Sequence, residues 1–208
     1  MVGFLPPAIV LAGGLSRRMG RDKALALLGV RPLLAHVIER LAVQTTALAI
    51  NAPADFSNDF GLPIVPDTLA GHPGPLAGIA AGMRHAAQLA PAASHLLVVP
   101  ADCPFVPRDL VPRLAANLDE GSPIVLARSN GRLHPVVGLW PIALAPAIEA
   151  WLADPQNRKL MSFIEGQRVV VVDFEMVETT AGPLDPFLNI NTPEDLLQAE
   201  RYYEALAS

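Results

Sequence analysis

The most constraining feature of this chain is the regular alternation of short apolar runs with stretches of helical periodicity. "AIVLA" (Ala8–Ala12), "TALAIN" ending at Asn51, "LPIVPD" ending at Asp67 and "SHLLVVPAD" ending at Asp102 read as strands. Between them, "RPLLAHVIERLAVQ" (Arg31–Gln44) carries Leu33, Leu34, Val37, Ile38 and Leu41 at helical spacing. "PLAGIAAGMRHAAQLA" (Pro75–Ala90) opens with a proline, as helices tolerate at their first position. The run before Asp102 is apolar at nearly every position, which suits a strand covered on both faces. This alternation predicts an α/β fold, a three-layer sandwich with a mostly parallel, Rossmann-like sheet.

The second half continues the pattern less regularly. "RDLVPRLAANLDE" (Arg108–Glu120) reads as a helix, and Pro112 must then lie in its first turn. "SPIVLAR" and "LHPVVGLWP" follow, then helices near Leu144–Leu152 and at Asn157–Gly166. "RVVVVDF" (Arg168–Phe174) reads as a strand, and "FLNIN" (Phe187–Asn191) as a last short one. "TPEDLLQAERYYEAL" closes the chain as a helix, with Thr192 as N-cap and Pro193 at its first position. Glu194 and Asp195 add negative charge at the positive helix end.

A length of 208 residues, 51% of them hydrophobic, fits one domain (1–208) with a real core and argues against disorder. The net charge of −5, with no basic stripe beyond one loop, argues against nucleic acid as a partner. The single cysteine, Cys103, rules out an intramolecular disulfide and any multi-cysteine metal site. No apolar run approaches the roughly 18–20 residues that cross a bilayer. "MVGFLPPAIVLAGG" lacks a basic leader, and Pro6-Pro7 interrupts it, so a buried strand is the better reading than a signal peptide. These points together predict a cytoplasmic protein with no membrane partner.

Ligands of open α/β sheets bind beyond the carboxyl ends of the strands. Gly13-Gly14 follow the first strand, Asn51 the second, Asp67 the third and Asp102 the fourth, and Asn189 and Asn191 belong to the last. The segment "LAGGLSRRMGRDK" joins Gly13, Gly14 and Gly20 with Arg17, Arg18, Arg21 and Lys23. It is not a Walker A loop, because Gly14 and Gly20 stand one residue too far apart and Arg21 occupies the lysine position. It is not the G-x-G-x-x-G dinucleotide fingerprint, because Gly13 and Gly14 are adjacent. What remains is a glycine loop whose N–H groups can approach phosphates, bordered by Arg and Lys that grip or screen them.

Asp102 can hold Mg²⁺ alongside substrate phosphate oxygens, or it can serve as a turn or cap aspartate. Asp67 is a ligand contact or a turn former before a Pro/Gly loop. Asn51, Asn189 and Asn191 can hydrogen-bond a sugar, base or phosphate, or order turns. His134 precedes a proline and is compatible with a structural role, and Cys103 has no base beside it. Neither H-E-x-x-H nor a Ser/His/Asp set is evident.

The motif "LAGGLSRRMGRDK" resembles the nucleotidyltransferase pattern L-A-G-G-x-S-x-R-M-G-x-D-K. With "PDTLAGHPGPLAGI", "PADCPFVP", "HPVVGLW" and "FLNINTPEDL", the likeness extends along nearly the whole chain and is closest to the molybdenum cofactor guanylyltransferases. That resemblance implies transfer of GMP from GTP to the terminal phosphate of molybdopterin, giving the guanine dinucleotide cofactor and pyrophosphate. It implies GTP contacts at Leu11, Ala12, Gly13, Gly14, Lys23, Asn51, Asp67 and Asp102. It implies Mg²⁺ on Asp102, catalytic roles for Lys23, Asp102 and Arg18, and Asn189 and Asn191 on the pterin side. The N-terminal half would then bind GTP and the C-terminal half serve the acceptor, with proteins that deliver the cofactor and molybdoenzymes that accept it as further partners. Related cytidylyltransferases open with an LAAG-type loop, so Gly14 favours guanine. The competing expectations are a cytidylyl- or sugar-nucleotidyltransferase, and a nucleotide-binding module without catalysis.

Overall fold

A computed structural model describes residues 4–13, 23–56, 59–68, 74–157 and 159–207. In chain order it contains strand β1 (Pro7–Leu11), the two-residue strands β2 (Leu27–Leu28) and β3 (Arg31–Pro32), helix α1 (Leu33–Ala42), β4 (Ala47–Asn51) and β5 (Ile64–Val65). There follow α2 (Pro75–Leu89), β6 (His95–Pro100), α3 (Leu110–Ala115), β7 (Ile124–Ser129), β8 (Arg132–Pro141) and α4 (Ala145–Leu152). The last elements are α5 (Leu160–Ile164), β9 (Val169–Phe174), β10 (Val177–Thr179), β11 (Gly182–Leu184) and α6 (Pro193–Ala207).

Seven strands form one sheet in the order β5-β4-β1-β6-β8-β7-β9. All pairings are parallel except those of β8, which runs against both β6 and β7. The expected mostly parallel α/β sandwich is therefore present, with helices on both faces. Val10, Leu97, Val99 and Val125 pack with α1 and α3 residues such as Leu34, Val37 and Leu110. Ile9, Val98 and Leu126 pack on the other face with Ile79 and Met83 of α2 and Ile148 of α4. Burying strands on both faces explains their unbroken apolar character. A third cluster, built on Leu28, Leu33, Phe105 and Tyr202, seats α6 against the β2–β3 hairpin.

The reversal at β8 has a local cause. Ser129 pairs with Arg132 across a two-residue turn, Asn130-Gly131, at φ of 46° and 73°. Asn-Gly is the favoured pair for a hairpin turn needing positive φ at both positions.

Two expected elements differ. The helix expected over Arg108–Glu120 spans only Leu110–Ala115, with Pro112 in its first turn as required. Beyond it the chain turns, and Ser122 at φ 43° donates its N–H to the Asp119 carbonyl. "FLNIN" is not a strand. Its backbone is tied by Leu188 N to Asp185 O (3.0 Å) and Ile190 N to Asp102 O (3.0 Å), and it joins no ladder. The helix that follows begins as expected. The Asp195 N–H donates to Thr192 Oγ1 (3.1 Å) and the Thr192 N–H to Asp195 Oδ2 (2.9 Å), a reciprocal cap.

Candidate active site

The parallel register aligns the strand exits. Leu11 stands opposite Asn51 on one side and Pro100 on the other, and Asn51 opposite Val65. The residues that follow these positions form two groups.

The first group centres on Asn51, which is buried. Its backbone carbonyl accepts the N–H groups of Ala12 and Gly13, both at 2.9 Å. Its side-chain Nδ2 donates to Val65 O (2.9 Å) and Asp67 Oδ1 (2.8 Å). One asparagine thus joins the exits of β1, β4 and β5 and orients Asp67, whose own side is exposed. The arrangement depends on Gly78 in α2, where an added Cβ would lie 2.2 Å from Asn51 Oδ1 and 2.8 Å from its Cγ. No side chain fits there without displacing the amide.

The second group centres on Lys23, whose residue is only 8% exposed although it carries an ammonium. A buried charge of this kind must be paired. Lys23 Nζ forms an ion pair with Asp102 and donates to Asn189 Oδ1 (3.2 Å) and Asn191 Oδ1 (2.5 Å). All three hydrogens of the ammonium therefore find side-chain oxygen. Asn189 Nδ2 in turn donates to Asp102 Oδ1 (2.6 Å), and Asn191 Nδ2 donates to Asn189 Oδ1. The Asn191 N–H donates to Asp195 Oδ2 (2.8 Å), which together with the Thr192 N–H holds the Asp195 carboxyl below its ordinary range. The helix cap and the site thus share one carboxylate.

Cys103 beside this group is fully buried, and burial pushes its thiol well above the usual range. It is a packing residue, not a thiolate nucleophile. Among the described residues, no three His, Cys, Asp or Glu side chains gather as a metal cage.

The structure therefore brings Lys23, Asp102, Asn189 and Asn191 into one cluster, and Leu11, Ala12, Gly13, Asn51 and Asp67 around the neighbouring strand ends. Gly14 and Arg18 lie outside the described residues. Of the two asparagines expected on the acceptor side, Asn189 contacts both the lysine and the aspartate, and Asn191 contacts the lysine. No sequence spacing announces that contact, which spans 166 and 168 residues. Chemically, the arrangement offers exposed backbone at a glycine, one ammonium and one carboxylate with two amides, and, among the described residues, no general base is hydrogen-bonded to the carboxylate.

The profile of the MobA-like NTP transferase domain matches residues 8–170. The chain is 50% identical over 199 residues to a molybdenum cofactor guanylyltransferase of Rhizobium meliloti, covering 95% of this chain and 91% of that protein. It is 47% identical over 212 residues to one from Rhizobium rhizogenes, covering 99% and 98%. Among solved structures it is similar to molybdopterin-guanine dinucleotide biosynthesis protein A of Archaeoglobus fulgidus, with a TM-score of 0.72 at 22% identity, over 95% of this chain and 98% of that one. A Mycobacterium tuberculosis protein solved with manganese has the same fold at TM-score 0.64 and 15% identity, covering 99% and 100%. No helix among the described residues is long and apolar enough to cross a membrane.

Proposed function

The chain belongs to the MobA-like NTP transferase domain family, and on that premise we propose that it transfers GMP from GTP to the terminal phosphate of molybdopterin, releasing pyrophosphate. The observation that carries this reading is the ion pair of Lys23 with Asp102, two residues past the end of β6, the strand that pairs with β1. A cation and a metal-competent carboxylate held together at a strand exit are what transfer between two polyanions requires.

In this reading one domain serves both substrates. Leu11, Ala12, Gly13 and Gly14 present backbone to the nucleotide. Asn51 holds the strand exits and aims Asp67 toward it. Lys23 and Arg18 neutralise phosphate charge. Asn189 and Asn191 stand where the acceptor phosphate approaches.

The donor set at Lys23 is all oxygen: one carboxylate and two amide carbonyls. Hard oxygen donors with few carboxylates suit Mg²⁺, which completes its shell with water and substrate phosphate. Asp102 is the residue that would hold it. Bound there, Mg²⁺ supplies charge neutralisation on the triphosphate. The acceptor phosphate is already largely dianionic at neutral pH, its second pKa being about 6, so no base is needed to activate it. The protein's remaining task is to hold the two anions in line, which positioning accomplishes. We assign the reaction to the cytoplasm, where proteins that deliver the cofactor and molybdoenzymes that accept it are its partners.

The test offers each nucleoside triphosphate with molybdopterin and identifies the product. GTP is expected to be consumed with pyrophosphate release and a guanine dinucleotide product. Turnover with CTP and none with GTP would show a cytidylyltransferase. Binding of GTP without pyrophosphate release would show a nucleotide-binding module.

A further inference from the structure

Ser129, His134 and Asp185 form a hydrogen-bonded trio at the exits of β7 and β11, apart from both groups described above. Ser129 is almost completely buried. Its Oγ lies 2.7 Å from His134 Nε2 and 2.6 Å from Asp185 Oδ1. The order of these groups is not that of a nucleophilic triad, because the serine sits in the middle. A hydroxyl has one proton, and a carboxylate only accepts, so Ser129 donates to Asp185. His134 must then donate its Nε2–H to Ser129, which settles the tautomer.

An irregularity in the sheet aims His134 at this serine. The pairing of β7 with β8 jumps from Leu126↔Gly138 to Ala127↔His134, leaving Pro135, Val136 and Val137 unmatched on β8. Such a bulge re-directs the side chains beside it, and Pro135, lacking an N–H, costs the ladder nothing there.

The trio holds the segment that carries the two asparagines. Asp185 Oδ1 also accepts the Phe187 N–H at 2.8 Å. The Phe187 ring lies 4.9 Å from the His134 ring and 5.1 Å from that of Phe174. Residues 185–191 are therefore fastened at an upstream anchor, Ser129–Asp185–Phe187, and at a downstream one, Ile190 N to Asp102 O. Asn189 stands between the anchors and faces Lys23 and Asp102. None of the three members of the trio hydrogen-bonds to the Asn51–Asp67 group.

We propose that Ser129, His134 and Asp185 are positioning residues that set Asn189 and Asn191 for the acceptor, an inference that rests on the guanylyltransferase reading above. They touch no reacting atom. They fix where the amides stand, and so act most on the acceptor and on turnover, and less on GTP, which they reach only through the hold of Asn189 and Asn191 on Lys23 and Asp102.

The experiment compares Ser129→Ala, His134→Phe and His134→Gln with the unaltered protein, measuring kcat and KM for each substrate, thermal melting, and amide exchange over residues 185–191. Gln can restore an N–H donor near the place of Nε2; Phe cannot. For Ser129→Ala and His134→Phe, kcat/KM for molybdopterin should fall about 10–100-fold, the usual loss for such supporting partners. The KM for GTP should change several-fold less than that for molybdopterin, and His134→Gln should recover most of the loss. Exchange over 185–191 should quicken about tenfold in Ser129→Ala while the rest of the sheet is unchanged. Kinetics equal to the unaltered protein, or both substrates losing in parallel, would overturn the proposal. So would unchanged exchange, which is decisive whatever the activity proves to be. A protein that ignores GTP altogether yet shows the exchange change would instead refute the functional reading and retain the anchor.

Discussion

The two groups beside the strand exits are built on opposite plans. The Asn51 group is local and steric. Its asparagine reaches partners 14 and 16 residues away, and it fits only because Gly78 leaves room. The Lys23 group is distant and electrostatic. Its three contacts span 79, 166 and 168 residues, and it is held together by charge and amide hydrogen bonds. In the function proposed above, a site for two phosphorylated substrates benefits from both plans. Shape complementarity holds a backbone rigid, whereas a charged cluster can exchange its internal partners for ligand oxygens.

The comparison predicts that the charged group weighs most on chemistry and the steric group most on stability. The largest effect is expected from Asp102→Asn, which keeps shape and removes charge. Its kcat in a pyrophosphate-release assay should fall by about 10²–10³-fold or more. Its melting temperature should fall as well, by more than roughly 4 °C, because the buried Lys23 ammonium loses its carboxylate partner. A variant that transfers GMP at the original rate would remove Asp102 from the chemistry.

Gly78→Ala should act first on stability. Overpacking against Asn51 costs about 1–3 kcal/mol, a fall of roughly 2–12 °C in melting temperature for a chain of this size. Because Asp67 loses its orienting partner, the KM for GTP should rise. Unchanged melting would mean that Asn51 has another place to go.

Thr192→Ala probes the point where the electrostatic group borrows a helix cap. Losing the cap should cost about 1 kcal/mol, and the loosened Asn191 should lower turnover modestly. A loss of stability with turnover intact would separate cap from site.

The smallest effect is a pH dependence outside both groups. Burial holds His95 and His134 below their ordinary 6.5. Between that value and their folded values, the unfolded chain binds protons that the folded chain does not. Stability should therefore fall as pH drops below about 6.5, measured by denaturant titration at two pH values on either side. His134→Gln should flatten the slope. Rising stability on acidification would show that the rings are charged in the fold.

Much of the steric group was legible in the sequence. Strands announce themselves as short apolar runs, and Asn51 and Asp67 each stand at the end of one. The Thr192–Pro193 helix start was also legible, because capping is a local matter. The electrostatic group was only half visible. Lys23 and Asp102 stand out by type, but nothing local reveals that Asn189 and Asn191 close around them. "FLNIN" misleads because its alternation has the period of a strand. Short amide side chains instead satisfy their surroundings directly, which competes with ladder formation. The antiparallel turn of β8 did leave a readable signal in Asn130-Gly131. The bulge that follows it left none, since it is set by pairing with β7.

The separation between Lys23 and Asn189 also has a consequence in time. Chains are synthesised from the N-terminus at roughly 5–20 residues per second. The 166 residues between these partners therefore take on the order of ten seconds to emerge. Throughout that interval β1, β4 and β6 can assemble while the lysine awaits the oxygens that will neutralise it. A nascent chain halted before residue 189 could own most of its sheet and still be inert. The Lys23 cluster is therefore closed only when residues 189 and 191, near the end of the chain, have been made.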